Sequence, residues 1–115
     1  MIERDVLAVL PLRPRVFGIL LALAEGPRHG YGIMRELSEE AGQGLLGPGT
    51  LYRTLKEMQE AGLITVTSGP TDQSDGPPRR YYTLSGFGKR VAAAEAGRMR
   101  ALVSRAGRVL ESHQS

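Results

Sequence analysis

The chain has 115 residues, 41% hydrophobic and 23% charged, with no cysteine and a formal net charge of +3. That length allows one domain with a small core. The lack of cysteine excludes disulfides and thiolate metal sites and suits a reducing cytoplasm, while a pI near 9.7 fits a polyanionic partner without requiring one.

Residues 1–10 (MIERDVLAVL) read as a weak helix with Val6, Leu7 and Leu10 apolar, ended by Pro11 and Pro14. The next helix is expected over residues 15–25. It is apolar almost all round, with Val16, Ile19, Leu20 and Leu23 on one side and Phe17, Leu21 and Ala24 on the other. One side serves the core. The other asks for a second cover, and a second subunit is the expected one, with the chain's own C-terminal helix as the alternative. The run from Val16 to Ala24 is about half a membrane span, so neither a membrane helix nor a signal peptide is expected.

Gly26-Pro27 breaks that helix, and another is expected over residues 30–41. Ile33, Leu37 and Ala41 form its inner stripe, with Met34 beside them and Glu36, Glu39 and Glu40 outside. Gly42-Gln43-Gly44 reads as a turn, after which Leu45 and Leu46 return to the core. The stretch GPGTLYRTLKEMQEAGLI, residues 47–64, then organises the chain. Pro48 suits a first helical position. Leu51, Leu55 and Met58 share one face, while Arg53 and Glu60 point away, flanked by Thr50, Lys56 and Glu57. Gly62 is a natural helix stop, and Leu63, Ile64 and Val66 switch to a strand pattern. Two short helices joined by a glycine-containing turn make a helix-turn-helix candidate.

A hairpin follows, with strands expected at residues 63–67 and 79–84 around a polar loop at 68–78. Tyr82 and Leu84 should face inward and Tyr81 outward, with Arg79 and Arg80 at the loop's base. Helix, turn, helix and long-tipped hairpin is the layout of a winged helix, the loop being the wing. Ser85 is a candidate N-cap for a last helix over residues 86–111. Its stripe is Ala92, Ala96, Met99, Leu102, Val103, Ala106, Val109 and Leu110, close to heptad spacing, and its other faces carry arginines. At about 38 Å it should overhang so small a domain, so a dimerisation helix is expected. The expected dimer contacts are Phe17, Leu21, Met99, Leu102, Val103, Ala106, Val109 and Leu110. The fold class is mainly α with a small β-hairpin: a winged helix-turn-helix in residues 1–84 and a long C-terminal dimerisation helix in residues 85–115.

Ordered motifs point to a family. Ile19-Leu20-x-x-Leu23 precedes Gly26-Pro27, then come His29-Gly30-Tyr31-Gly32-Ile33, Gly49-Thr50-Leu51-Tyr52-x-x-Leu55, Gly62-Leu63-Ile64, Arg80-Tyr81-Tyr82-x-Leu84 and Gly88. The chain resembles a short member of the PadR family of bacterial transcriptional regulators over roughly residues 15–90. The resemblance implies a winged-helix homodimeric repressor of double-stranded DNA, with release by a small-molecule effector near the dimer interface. Two departures stand out. Arg53 occupies a position that is often proline in the family, and no tryptophan is present to clamp a flat aromatic effector.

The expected DNA contacts are Tyr31, Thr50, Tyr52, Arg53, Lys56, Arg79 and Arg80. Arg53 can pair bidentately with guanine and Lys56 meets phosphate. Tyr31 and Tyr52 either contact DNA or pack, and Arg79 and Arg80 touch backbone, reach a minor groove or stay solvated. The reading helix is itself neutral, with Arg53 and Lys56 set against Glu57 and Glu60. The basic excess lies in residues 85–115, where Lys89, Arg90, Arg98, Arg100, Arg105 and Arg108 face Glu95 and Glu111. No nucleophile or phosphate-loop pattern stands out, and His29 has no second ligand nearby, so no enzyme, cofactor or metal is expected. The alternative from another class is a winged-helix protein-interaction module without DNA.

Overall fold

A computed structural model describes residues 4–41, 47–68 and 80–114. The element order is α1 (Arg4–Ala8), α2 (Pro14–Ala24), β1 (Arg28–His29), α3 (Gly30–Ala41), α4 (Pro48–Glu60), β2 (Ile64–Ser68), β3 (Arg80–Leu84) and α5 (Gly86–Gln114). The expected hairpin exists, but it belongs to a three-stranded antiparallel sheet in the order β1-β3-β2. Arg28 pairs with Tyr82 and His29 with Tyr81. A two-residue strand is too short to show alternation in sequence, and its pairing is supplied by β3 rather than by its own residues.

Ile19, Leu20 and Leu23 of α2, Ile33 of α3, Leu51, Leu55 and Met58 of α4, and Leu63, Ile64 and Tyr82 of the sheet form the core. Val6 of α1 and Val91 of α5 complete it. Arg28 ties α2 to α3. Its guanidinium donates to the Ala22 carbonyl (3.0 Å) and pairs with Glu25 (2.8 Å) and Glu36 (2.9 Å). Glu36 is therefore a half-buried partner and not an outward-facing carboxylate, because β1 places a cation beside it.

The end of α4 is closed by backbone geometry. Gly62 takes φ +79°, its N–H donates to Gln59 O (3.0 Å), and the Leu63 N–H donates to Met58 O (2.9 Å). This paired arrangement satisfies the last carbonyls of the helix. The entry of α5 is built onto that exit. Ser85 Oγ accepts from the Gly88 N–H (2.9 Å) as an N-cap and donates to Gly62 O (2.6 Å), and Ser85 N–H donates to Leu63 O (3.1 Å). A Cβ on Gly88 would lie 2.0 Å from Leu63 O, so only glycine lets α5 approach this closely.

The first half of α5 folds onto its own domain. It packs on α2 and α1, and Val91 and Glu95 are fully buried. The Glu95 carboxylate accepts from the Leu12 N–H (2.7 Å) and from Arg98. The Arg98 hydrogen bond, helped by the Leu12 amide and the Arg98 charge, holds the carboxyl below its ordinary value, while burial pushes the other way. From Arg98 to His113 every residue is exposed. At about 1.5 Å per residue, the 29 residues of α5 make a rod of roughly 44 Å, and the molecule measures 64 × 33 × 22 Å.

Candidate nucleic-acid interface

The face of α4 opposite the core is open. Leu51, Thr54, Leu55 and Met58 are buried at i, i+3, i+4 and i+7 spacing, and Thr54 Oγ1 donates to Thr50 O (2.8 Å). Tyr52, Arg53, Lys56, Glu57 and Glu60 are exposed, and Thr50 is half-buried. Arg53 lies near the middle of this face and Lys56 three residues on, both ahead of Glu60.

Three of the expected contact residues come together at the edge of that face. Tyr31 in the first turn of α3, Tyr52 of α4 and Arg80 at the start of β3 line one open concavity of about 410 Å³, together with His29, Gly30 and Tyr82. Tyr31 and Tyr52 are 59% and 50% exposed, so their rings stand at the surface, whereas Tyr82 is 3% exposed and forms the floor. Arg79 lies outside the described residues, as do the expected wing loop, the turn at residues 42–44, and Leu45 and Leu46.

His29 and Gly30 were not among the expected contacts. His29 Nδ1 accepts from the Gly32 N–H (3.0 Å) and so acts as the side-chain cap of α3. Its ring also stacks near Tyr31 (6.3 Å between centroids) and meets Tyr81 edge-on (5.6 Å). Tyr81 is half-buried by this contact and not fully exposed as its outward register implied. The spacing of His29 and Gly32 is the signal for the cap, though histidine is outside the usual capping set.

The expected dimer contacts fall in two places. Leu21 on α2 is exposed and Phe17 half-buried, both outside the core. Met99, Leu102, Val103, Ala106, Val109 and Leu110 all lie on the exposed half of α5. Among the described residues, no three His, Asp or Glu side chains are grouped to hold a metal ion.

The Transcriptional regulator PadR-like family matches residues 19–94. The chain belongs to that family. Its members are regulators of transcription and not enzymes. The matched span of this PadR-like protein runs from the core of α2 through the wing strands into α5, and stops one residue before Glu95. A PadR family transcription regulator from Clostridium difficile superposes with a TM-score of 0.71 at 27% identity, over 84% of this chain and 97% of that one. Bacillus subtilis PadR, solved in complex with operator DNA, superposes with a TM-score of 0.62 at 30% identity, over 73% of this chain and 47% of that one. In sequence, a 37.1 kDa protein of transposon TN4556 from Streptomyces fradiae is 34% identical over 94 residues, which are 82% of this chain. The match spans 24% of that relative's length.

Proposed function

We propose that this PadR-like protein is a cytoplasmic, homodimeric, sequence-specific DNA-binding regulator. It acts as a repressor, with α4 entering the major groove and the wing base beside it. The observation that carries this reading is the face of α4: four packed residues behind, and Tyr52, Arg53 and Lys56 open to solvent in front. Support comes from the similarity to Bacillus subtilis PadR, which was solved with operator DNA. Arg53 reads a base edge and Lys56 neutralises phosphate. A neutral reading helix suffices because a dimer doubles every contact and affinity comes from phosphate neutralisation by the whole assembly.

The second subunit docks along the far half of α5, where the large apolar side chains Met99, Leu102, Val103, Val109 and Leu110 are exposed. Release by a small molecule held near the paired helices completes the reading, on the strength of the family resemblance.

Fragments selected from the source genome by the purified protein supply the operator, and an electrophoretic mobility titration then tests Arg53→Ala. The variant should bind about 1–3 kcal/mol more weakly and relax preference at one base position. Unchanged affinity and preference would remove Arg53 from the reading role. A chain ending at Gly97 keeps the packed half of α5 and should run as a folded monomer in light scattering. A stable dimer would move the interface elsewhere.

A further inference from the structure

We propose that Gly30 and Tyr52 work as a coupled pair. The missing side chain of Gly30 seats the Tyr52 ring against the start of α3, and the seated hydroxyl, with Arg80, holds one phosphodiester group of the DNA backbone. This rests on the DNA-binding reading above and names the chemistry of one part of that surface.

The geometry at Gly30 carries the argument. A Cβ there would lie 2.6 Å from the Tyr52 hydroxyl oxygen and 2.9 Å from two ring carbons, Cε1 and Cζ. The ring therefore occupies the volume that any other residue at position 30 would need. The glycine of the His29–Ile33 motif and the tyrosine of the Gly49–Leu55 motif thus meet in space. Among the described residues, the concavity they share with Tyr31, Arg80, His29 and Tyr82 is lined by three tyrosines and one arginine, with no acidic residue. A hydroxyl donor and an arginine beside an open hollow suit the single negative charge of a phosphodiester. The hollow lies beside the outward face of α4, where a backbone would pass if that helix lay in a groove. The His29 cap fixes the α3 turn against which the ring rests.

The clash that a Cβ would cause is with the free end of a half-exposed side chain, and not with backbone. Gly30→Ala should therefore swing the ring outward without breaking the fold. Gly30 is a positioning residue, and its effect must run through Tyr52.

The test uses the full chain and a labelled mixed-sequence duplex, because a phosphate contact carries no sequence information. Tyr52→Phe, which keeps the ring and removes the donor, should weaken binding by about 10-fold. Gly30→Ala should weaken it by a similar factor, with the thermal midpoint measured alongside. In a Tyr52→Ala background, Gly30→Ala should change binding by less than about 2-fold, the non-additivity expected of residues that act as a unit. Arg80→Gln should lower the slope of log affinity against log salt by about 0.9, the value for one phosphate contact. Equal losses from Gly30→Ala with and without Tyr52 would overturn the coupling. Should Gly30→Ala unfold the chain, unaltered binding by Tyr52→Phe would overturn the seat. If the parent chain binds the duplex with a steep salt slope and these variants do not differ from it, only this inference falls. If the parent chain shows no salt-dependent duplex binding, the functional reading itself falls.

Discussion

From Gly86 to Gly97, α5 is a packing element: Val91 and Glu95 are buried, and Gly88 lies against the carbonyl of Leu63. From Arg98 to His113 every residue of the same helix is exposed, although it carries Met99, Leu102, Val103, Val109 and Leu110. The two halves solve different problems with the same backbone. The first uses small residues, Ala92 and Ala94 among them, to come close to the domain. The second spends large apolar side chains where the domain offers no cover. Helix propensity alone cannot hold so exposed a segment firmly, since helical stability in proteins comes mostly from packing. The exposed half thus presents large apolar side chains to solvent, and the packed half fixes how they are aimed.

The contrast breaks hardest at the glycines. Gly88→Ala gains up to about 1 kcal/mol of helix propensity but drives a Cβ into backbone at 2.0 Å. The net loss should reach about 3 kcal/mol or more, the upper end for overpacking, as a fall in the urea midpoint.

Glu95 gives the next effect. Removing its hydrogen bonds by Glu95→Ala should cost about 1–3 kcal/mol, read from denaturation near neutral pH. The pH dependence has a definite sign. The folded carboxyl titrates below its ordinary 4.5, so its contribution is complete above that value and is lost as pH falls through the lower, folded value. The stability gap between the parent and the variant should stay flat above about pH 5.5 and narrow in acid. A gap that widened in acid would contradict the geometry.

The smallest effect sharpens the comparison by reversing its sign. At Gly107 an added Cβ meets nothing within 4 Å, so Gly107→Ala should stabilise α5 by up to about 1 kcal/mol, seen as added helicity by circular dichroism. The same chemical change thus breaks one half of a helix and strengthens the other.

What the sequence showed and what it hid divide along physical lines. Gly62 as a stop, Ser85 as a cap and the Leu51–Leu55–Met58 stripe are local signals, and each appears in the structure as read. So are the bounds of α3 at Gly30 and Ala41. Glu95 was hidden because a charged residue in a helix reads as solvated. Its burial depends on Leu12, far away in sequence, bringing an amide to meet it. The strand at Arg28 and His29 was hidden because its partners lie on β3. Likewise, Tyr31, Tyr52 and Arg80 were separate candidates. Their convergence around Gly30 needed the fold.

The junction of Gly62, Ser85 and Gly88 has a mechanical consequence. Two hydrogen bonds, to the carbonyls of Gly62 and Leu63, and one backbone contact tie the start of α5 to the end of α4. In the proposed dimer, joined along the outer halves of α5, the crossing angle of those helices would set the span between the two α4 segments. Over a lever of roughly 44 Å, each degree of splay displaces the far end by about 0.8 Å. Successive turns of duplex demand a span near 34 Å, so a wedge of a few degrees between those helices would be enough to put the two α4 segments out of step with the groove.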